Sequence, residues 1–304
     1  MIVNMKKRKC IAIFVIVLVI ILSLINLINS ANNKEVTLTQ LSPQSSRQMM
    51  SYLIKTQNNK LIIVDGGTIQ DADNLKKNIY KNGGKVDYWF LTHAHDDHVG
   101  AFTEIINKTD IPVEKIYATV NELNWYEKNE PSRVEFTKKF LETLKNEKVE
   151  NRIIEPKINQ TIKIDKKINA EILKTRNPEI TQNAGNEQSM VIKFNIGNTS
   201  FLVLGDLGEN GSRILLNTQR EKLKSDIVQM SHHGQAGATR ELYEEVRPKI
   251  CLWPTPEWLW NNNAGEGFNT GPWKTLETRD WIKNLKVEQN FIAKDGDISI
   301  NIKE

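Results

Sequence analysis

Cysteine is almost absent from this chain of 304 residues. The two cysteines are Cys10, inside an apolar run near the N-terminus, and Cys251, which stands alone in the rest of the sequence. We expect no disulfide between two such positions. A lone thiol does not identify the redox compartment in which the protein works.

A surplus of basic residues is missing from most of the chain. The formal net charge is +4, and the four consecutive residues Lys6, Lys7, Arg8 and Lys9 account for it. Domains that bind nucleic acid usually carry a basic footprint. The composition therefore gives no overall support for binding to DNA or RNA, and a local basic patch is the only alternative that it leaves open.

The basic flank is followed by an apolar run from Cys10 to about Leu24, which reaches Ile28 if Asn26 is tolerated. This length is close to the ~20 apolar residues that span a bilayer as a helix. It reaches the upper limit of the ~7–15 residues usual in a signal peptide, and no good A-x-A cleavage site follows. We predict that residues 1–31 are a cytoplasmic flank and a single transmembrane anchor, with residues 32–304 outside the cytoplasm. A cleaved signal peptide, and hence a secreted protein, is the alternative.

Strand and helix patterns alternate along the rest of the chain. EVTLTQLS has the alternation of a strand, and RQMMSYLIKTQNNKLIIVDGG predicts two strands joined at Asn58-Asn59. Helical patterns occur in ADNLKKNIYKNGG, in VGAFTEIINKT, over 131–148 and around 210–223. Further strands are predicted in TIKI, INAEILK, SMVIKFNIG and TSFLVLGD. Strands with helices on both sides indicate an α/β domain of two mixed sheets covered by helices.

Histidine is also scarce, and its five residues form two tight clusters. One cluster lies in LTHAHDDHVG and the other in QMSHHGQAG, and each follows a predicted strand. The clusters contain His93, His95, His98, His232 and His233. Solvated surface histidines would be scattered, so this distribution indicates a functional site.

The first cluster has the composition and spacing of a metal site. Imidazole and carboxylate together suit Zn²⁺, with Fe or Mn as alternatives. His93 and His95 can face the same way on an extended segment, and Asp97 and His98 can present to a second point beyond it. This geometry favours two metal ions side by side. Asp206 ends the apolar strand FLVLGDLG without a cationic neighbour and would be costly to bury alone, so it is a further candidate ligand.

With H-x-H-x-D-H after a strand, an Asp after a later strand and a late His, the sequence resembles the metallo-β-lactamase-fold hydrolases. The resemblance covers nearly all of residues 34–300 and implies an αββα four-layer sandwich. Asp65, in LIIVDGG, resembles the early Asp of that fold and would support the metal ligands without binding metal. VLGD followed by SDIVQMSHHG is most similar to the hydrolase domain of ComEC-like DNA-uptake proteins. It is also similar to bacterial cell-surface phosphorylcholine esterases.

The resemblance implies a ligand set. His93 and His95 would hold one metal ion, and Asp97 and His98 would hold the other. Asp206 would bridge the two ions, and His233 would complete the second site. The set is His93, His95, Asp97, His98, Asp206 and His233. Asp97 would also orient the attacking hydroxide, and His232 would be a second catalytic residue that faces the phosphoryl group. The two late histidines could instead exchange these roles.

Two features of the family pattern are missing here. The superfamily usually has one more ligand histidine before the bridging Asp, but NAGNEQSMVIKF stands in that stretch and no histidine lies between residues 98 and 232. The first metal would then be completed by water, Asn186 or Glu187, or would be weakly held. FNTGPW replaces the late N-x-Y-G-H-P-like segment of ComEC-like proteins, which weakens the case for DNA as the substrate.

Five of the seven tryptophans lie between residues 253 and 281. We predict that Trp253 and Trp281 are core residues. Trp258, Trp260 and Trp273 lie in a stretch rich in Pro, Gly and Asn, where aromatic side chains are expected to have no core to fill. We expect these three to bind substrate by stacking on a sugar or base, or by contact with a quaternary ammonium group.

These features predict a membrane-anchored, extracytoplasmic, zinc-dependent hydrolase. Its expected substrate is a small-molecule or cell-surface phosphoester or phosphodiester, attacked by a metal-bound hydroxide. We expect two zinc ions per chain, with one as the alternative. The other functions considered are hydrolysis of an ester, a lactone or a β-lactam on the same fold, and a non-catalytic binding module. The missing histidine counts against β-lactams, and the intact motif counts against the module.

Overall fold

The apolar runs of the sequence form two seven-stranded sheets in the computed structural model, which describes residues 35–303. The strands are β1 (Glu35–Gln40), β2 (Ser51–Lys55), β3 (Leu61–Asp65), β4 (Tyr88–Leu91), β5 (Ile116–Ala118), β6 (Ile153–Ile154), β7 (Thr161–Asp165), β8 (Ile168–Lys174), β9 (Val191–Ile196), β10 (Thr199–Val203), β11 (Ile227–Gln229), β12 (Ile250–Trp253), β13 (Gln289–Ile292) and β14 (Ile298–Lys303). One sheet has the order β14-β1-β2-β3-β4-β5-β6, and the other has the order β13-β12-β11-β10-β9-β8-β7.

Helices cover the outer faces of both sheets. They are α1 (Ala72–Lys81), α2 (Asp96–Lys108), α3 (Leu123–Asn129), α4 (Val134–Leu144), α5 (Ala184–Glu187), α6 (Glu209–Thr218), α7 (Arg240–Val246), α8 (Glu257–Trp260) and α9 (Thr275–Asn284). The predicted membrane anchor lies outside the described residues. Within residues 35–303, no helix is both long enough and apolar enough to cross a membrane.

The core between the two sheets is built from the inward-facing residues of both. Phe90 in β4 stacks on Tyr117 at 4.9 Å and meets the ring of Phe194 in β9 edge-on at 5.4 Å. On the outer side of the first sheet, Trp89 packs edge-on against Phe102 of α2 at 5.0 Å. Successive residues of β4 therefore pack on opposite faces of the sheet. This packing confirms the prediction of two mixed sheets covered by helices.

Two predicted elements differ in extent. The helix predicted over 131–148 is a 3₁₀ turn followed by α4, which ends at Leu144. The side chain of Asn146 accepts a hydrogen bond from the Lys148 N–H at 3.0 Å, and this local turn competes with further helix. The helix predicted in VGAFTEIINKT begins three residues earlier, at Asp96, within the histidine cluster. The first turn of α2 therefore carries Asp97 and His98.

Parallel pairing places the carboxyl ends of several strands at the same edge of the sheets. β3 and β4 are parallel, as are β10 and β11, and the candidate metal ligands follow the carboxyl ends of these strands. β1 begins at the other end of its sheet, because Thr37 pairs with Lys55 while Ser51, at the start of β2, pairs with Asp65.

We predict that Phe194→Ala lowers the free energy of unfolding by about 3–5 kcal/mol, because it opens a cavity between the two sheets. Urea unfolding measures the change. Phe268→Ala is the matched control, since that ring is 66% exposed and its loss should change stability by no more than about 0.5 kcal/mol. Equal losses for the two variants would contradict this description of the core.

Candidate metal centre

The candidate ligands converge at one end of the sandwich. Two groups of buried side chains each have ligand atoms that all lie within 4.8 Å of one another. One group is Asp97, His98, Asp206 and His233, and the other is His93, His95 and Asp206. Asp206 belongs to both groups, and His232 belongs to neither.

The donor set of these groups is compatible with divalent metal ions. Within the described residues, His93 Nε2 and Asp97 Oδ1 are buried and form no hydrogen bond. A buried polar atom without a partner is costly, and a cation satisfies acceptors such as these. Carboxylate and imidazole do not by themselves choose between zinc and other metals.

Asp65 orients two of the imidazoles. It accepts a hydrogen bond from His98 Nδ1 at 2.7 Å, so His98 Nε2 faces Asp206 Oδ1 at 3.1 Å. The Thr92 hydroxyl donates to Asp65 at 2.7 Å and can therefore only accept from His93 Nδ1, at 3.1 Å. His93 then presents the lone pair of Nε2 towards Asp206. The structure thus places Asp65 behind two of the candidate ligands.

The two late histidines point in different directions because of their backbone. His232 and His233 both have left-handed φ angles, 50° and 54°, which cost about 1–3 kcal/mol each for a residue with a side chain. His233 is fully buried, donates from Nδ1 to the Pro254 carbonyl at 2.9 Å and faces Asp97 with Nε2. The side chain of His232 is 18% exposed and lines a cavity of about 570 Å³.

Asp206 is held close to the loop that contains α5. Its backbone N–H donates to Ser189 Oγ at 2.9 Å. Gly205 precedes it with a φ of +59°, and a Cβ at that position would lie 2.8 Å from the same hydroxyl. Only glycine combines this conformation with so close an approach. The G-D pair therefore fits a carboxylate into a tight corner between β10 and the loop.

Charged side chains hold the loop that contains α5 in position. The Lys174 ammonium donates to the carbonyls of Glu187 and Ser189 at 2.6 and 3.3 Å, and burial lowers the pKa of Lys174 to about 8. The Glu187 carboxylate accepts the N–H groups of Asn210 and Gly211 at the start of α6. Glu187, one of the residues considered for completing the first metal site, is therefore engaged at that helix.

Asn186, the other residue considered, lies beside His232. Its Nδ2 is 3.2 Å from His232 Nε2 and donates to Asn183 Oδ1 at 2.8 Å. Within residues 35–303, its Oδ1 is buried without a hydrogen-bond partner. His232 donates from Nδ1 to the Ala236 carbonyl at 3.2 Å, so Nε2 acts as the acceptor for Asn186.

Glu130 is a site residue that the sequence did not reveal. It lies beyond the end of α3, and its carboxylate is 3.0 Å from His95 Nε2. Burial raises the pKa of Glu130, but the lowering effects of His95, Gly185 and Arg133 together outweigh burial and leave the pKa below its ordinary value. Glu130 stands 35 residues from His95 and directly before a proline, a setting typical of a helix boundary, so no sequence pattern marked it.

The three tryptophans predicted to bind substrate have different surroundings in the structure. Trp258 meets Trp273 edge-on at 4.7 Å and donates from Nε1 to the Ser46 carbonyl at 2.7 Å. Trp260 packs on the buried Trp253 at 5.2 Å and lies under the Arg279 guanidinium. The expectation that Trp260 has no core to fill is therefore wrong, because α8 turns this ring onto the core. Among the tryptophans, it is Trp281 that lines the cavity beside His232.

Buried charges shift the pKa values of the candidate ligands. Burial alone lowers the pKa of His98 and of His233, but nearby carboxylates outweigh it, raising the pKa of His98 well above its ordinary value and that of His233 to about 9. The same histidines hold the pKa of Asp97 and of Asp206 well below the ordinary range, against the effect of burial. Burial and the neighbouring histidines lower the pKa of His93.

We predict that metal binding releases protons at neutral pH, because a ligand imidazole must be deprotonated and His233 titrates only at about 9. Apparent affinity should rise with pH from 6.5 towards 9. The metal-free fold should show the opposite trend, since a raised pKa contributes stability that is full below 6.5 and is lost as pH rises through 9. Calorimetry in buffers of different ionisation enthalpy measures the protons, and no release at pH 7 would contradict the assignment.

Comparison with known proteins gives a family for this fold and site. The model of the metallo-beta-lactamase superfamily matches residues 47–250. ComE operon protein 3 of Bacillus subtilis is 24% identical over 177 residues, which cover 55% of this chain and 20% of that protein. The probable metallo-hydrolase YqgX of Bacillus subtilis is 35% identical over 83 residues, 27% of this chain and 36% of that protein.

A solved structure shows the same fold. The metallo-beta-lactamase fold protein YhfI of Bacillus subtilis aligns with a TM-score of 0.53 and 13% identity, over 88% of this chain and all of that one. The curated relatives are longer than the matched regions, and the alignments span about a fifth to a third of their length. The family model covers about two thirds of the chain. The chain belongs to the metallo-beta-lactamase superfamily.

Proposed function

We propose that this protein is a zinc-dependent hydrolase of phosphoester or phosphodiester bonds, anchored in the membrane and acting outside the cytoplasm. The superfamily match and the hydrolases among the relatives support a hydrolytic enzyme. The observation that carries the proposal is the pair of buried ligand groups that share Asp206. A site for two adjacent cations suits a substrate that carries negative charge at the reacting centre.

The bound metal ions would supply the electrophilic chemistry. Two adjacent divalent cations lower the pKa of water towards about 7 and neutralise charge on a phosphoryl group. His93, His95 and Asp206 would hold one ion, and the group that contains His233 would hold the other. The Asp97 carboxylate is held in position by one oxygen, because Oδ2 accepts a hydrogen bond from Gln48 Nε2 at 2.8 Å. The other oxygen, Oδ1, has no hydrogen-bond partner within the described residues and would be free to bind a cation.

His232 is the residue placed to exchange a proton with a substrate. Its Nδ1–H is committed to the Ala236 carbonyl, so Nε2 is the nitrogen that a substrate would use, and it would do so in place of the 3.2 Å contact with Asn186 Nδ2. Burial lowers the pKa of His232, which keeps the ring neutral at pH 7 and leaves Nε2 able to accept a proton. A neutral imidazole beside two cations is suited to general base and acid steps.

The position of β1 bears on how an anchored chain would be oriented. β1 starts at the end of the first sheet that is opposite the candidate metal centre. In a chain anchored through the segment before β1, the metal centre would face away from the membrane. We therefore place the substrate among soluble or cell-surface phosphoesters and not among the lipids of the same leaflet.

We predict that the purified protein contains about two zinc ions per chain and hydrolyses bis-p-nitrophenyl phosphate or p-nitrophenylphosphorylcholine faster than nitrocefin or p-nitrophenyl acetate. His93→Ala should lose one ion, and Asp206→Ala should lose both together with turnover. Metal analysis and turnover are measured on the same samples, with the exposed Asp73→Ala as control. Faster turnover of nitrocefin or p-nitrophenyl acetate would refute the phosphoester assignment.

We also predict that His232→Ala lowers kcat by about 10²–10⁴-fold, the usual contribution of a general acid or base, without loss of metal. His233→Ala should lose metal as well as activity, because His233 lies in a ligand group. Metal content and kcat are measured together for both variants. Loss of metal in the His232 variant alone would mean that the two residues have exchanged roles.

A further inference from the structure

Within residues 35–303, Glu130 is the hydrogen-bond partner of the His95 ring. Its Oε1 and Oε2 lie 3.0 and 3.3 Å from His95 Nε2. An ionised carboxylate can only accept, so Nε2 must carry the proton. Nδ1 is then the nitrogen with a free lone pair, and it is the one that the ring can offer to the group formed with His93 and Asp206.

The backbone at Gly185 is shaped around this contact. A Cβ on Gly185 would overlap both Glu130 Oε2 and His95 Nε2. The φ angle of Gly185 is not in the left-handed region, so close approach and not conformation requires glycine there. The loop of α5 therefore leaves room for a carboxylate against His95 only because residue 185 has no side chain.

A second set of contacts ties the Glu130 segment to the histidine cluster. The Arg133 N–H donates to the Glu130 carbonyl at 3.0 Å, and the Arg133 guanidinium pairs with Asp96 at 2.9 Å. Asp96 stands between the candidate ligands His95 and Asp97 in the chain, and Arg47 pairs with it from the other side. The position of Glu130 is thus fixed relative to the site by its backbone as well as by its side chain.

We infer that Glu130 is a positioning residue for the metal site formed by His93, His95 and Asp206. It holds His95 in the tautomer that presents Nδ1 and makes that nitrogen a stronger ligand, as carboxylates behind metal-binding histidines do. Glu130 is not itself in either ligand group of the described residues. The inference rests on the proposed pair of metal ions and not on the proposed substrate.

The test is a zinc titration of the full-length protein against a chelator, with both binding steps resolved. Glu130→Leu should weaken one step by about 10–100-fold and leave the other unchanged. Glu130→Gln should lose less, because its amide oxygen can still accept from Nε2–H. Glu127→Gln, an exposed acid in α3, is the matched control and should bind as the wild type. Circular dichroism shows whether each variant is folded.

Two further measurements separate positioning from a general structural effect. Gly185→Ala should displace Glu130 and reproduce the loss seen for Glu130→Leu, and combining the two should add little. Nitrogen NMR of His95 should show protonated Nε2 in the wild type and a mixture of tautomers in Glu130→Leu. Equal loss at both metal steps, or an unchanged tautomer and affinity in that variant, would overturn the inference. Because no turnover is measured, a failure of the substrate proposal leaves this result interpretable.

Discussion

The burial of two carboxylates beside four imidazoles is the constraint around which this end of the protein is built. Asp97 and Asp206 are buried, and a buried charge is tolerated only with compensating charge and hydrogen bonds. In the metal-free protein that compensation comes from protonated His98 and His233, whose pKa values are raised by the carboxylates. Divalent cations would replace those protons. Stability and metal binding are thus coupled through the same side chains.

Orientation of the imidazoles is a second requirement, and a different acceptor meets it at each of the four. His93 bonds to Thr92, His98 to Asp65, His233 to the Pro254 carbonyl and His95 to Glu130. Each outer nitrogen is engaged, so each inner nitrogen faces Asp97, Asp206 or both. The acceptors come from two strand ends, a loop and a distant helix end. The four-layer packing brings these segments together. Asp65 and His233 have left-handed backbone angles, so local strain is located at the candidate metal centre itself.

Much of the site could be read from the sequence because it depends on short-range chemistry. His93 to His98 form one continuous motif. Asp206 follows an apolar strand, and a carboxylate buried there needs a cation or hydrogen-bond donor wherever the strand lies in the fold. Histidine and aspartate side chains have few ways to donate, accept or bind a cation, and this leaves few roles for these residues. The tryptophans did not follow the same logic. Composition suggested a loop around Trp260, but a single turn of helix was enough to direct that ring onto the core.

By itself the sequence determined the two sheets, through alternating and continuous apolar runs, and most candidate ligands, through residue type and position after strands. The tertiary structure alone decided which neighbour of the His232-His233 pair enters the ligand group, because two left-handed backbone angles separate their side chains. It also decided that Glu187 caps a helix while Glu130 reaches His95. These outcomes depend on contacts across 20 to 40 residues of chain, and no local pattern encodes the distance between two segments that only packing brings together.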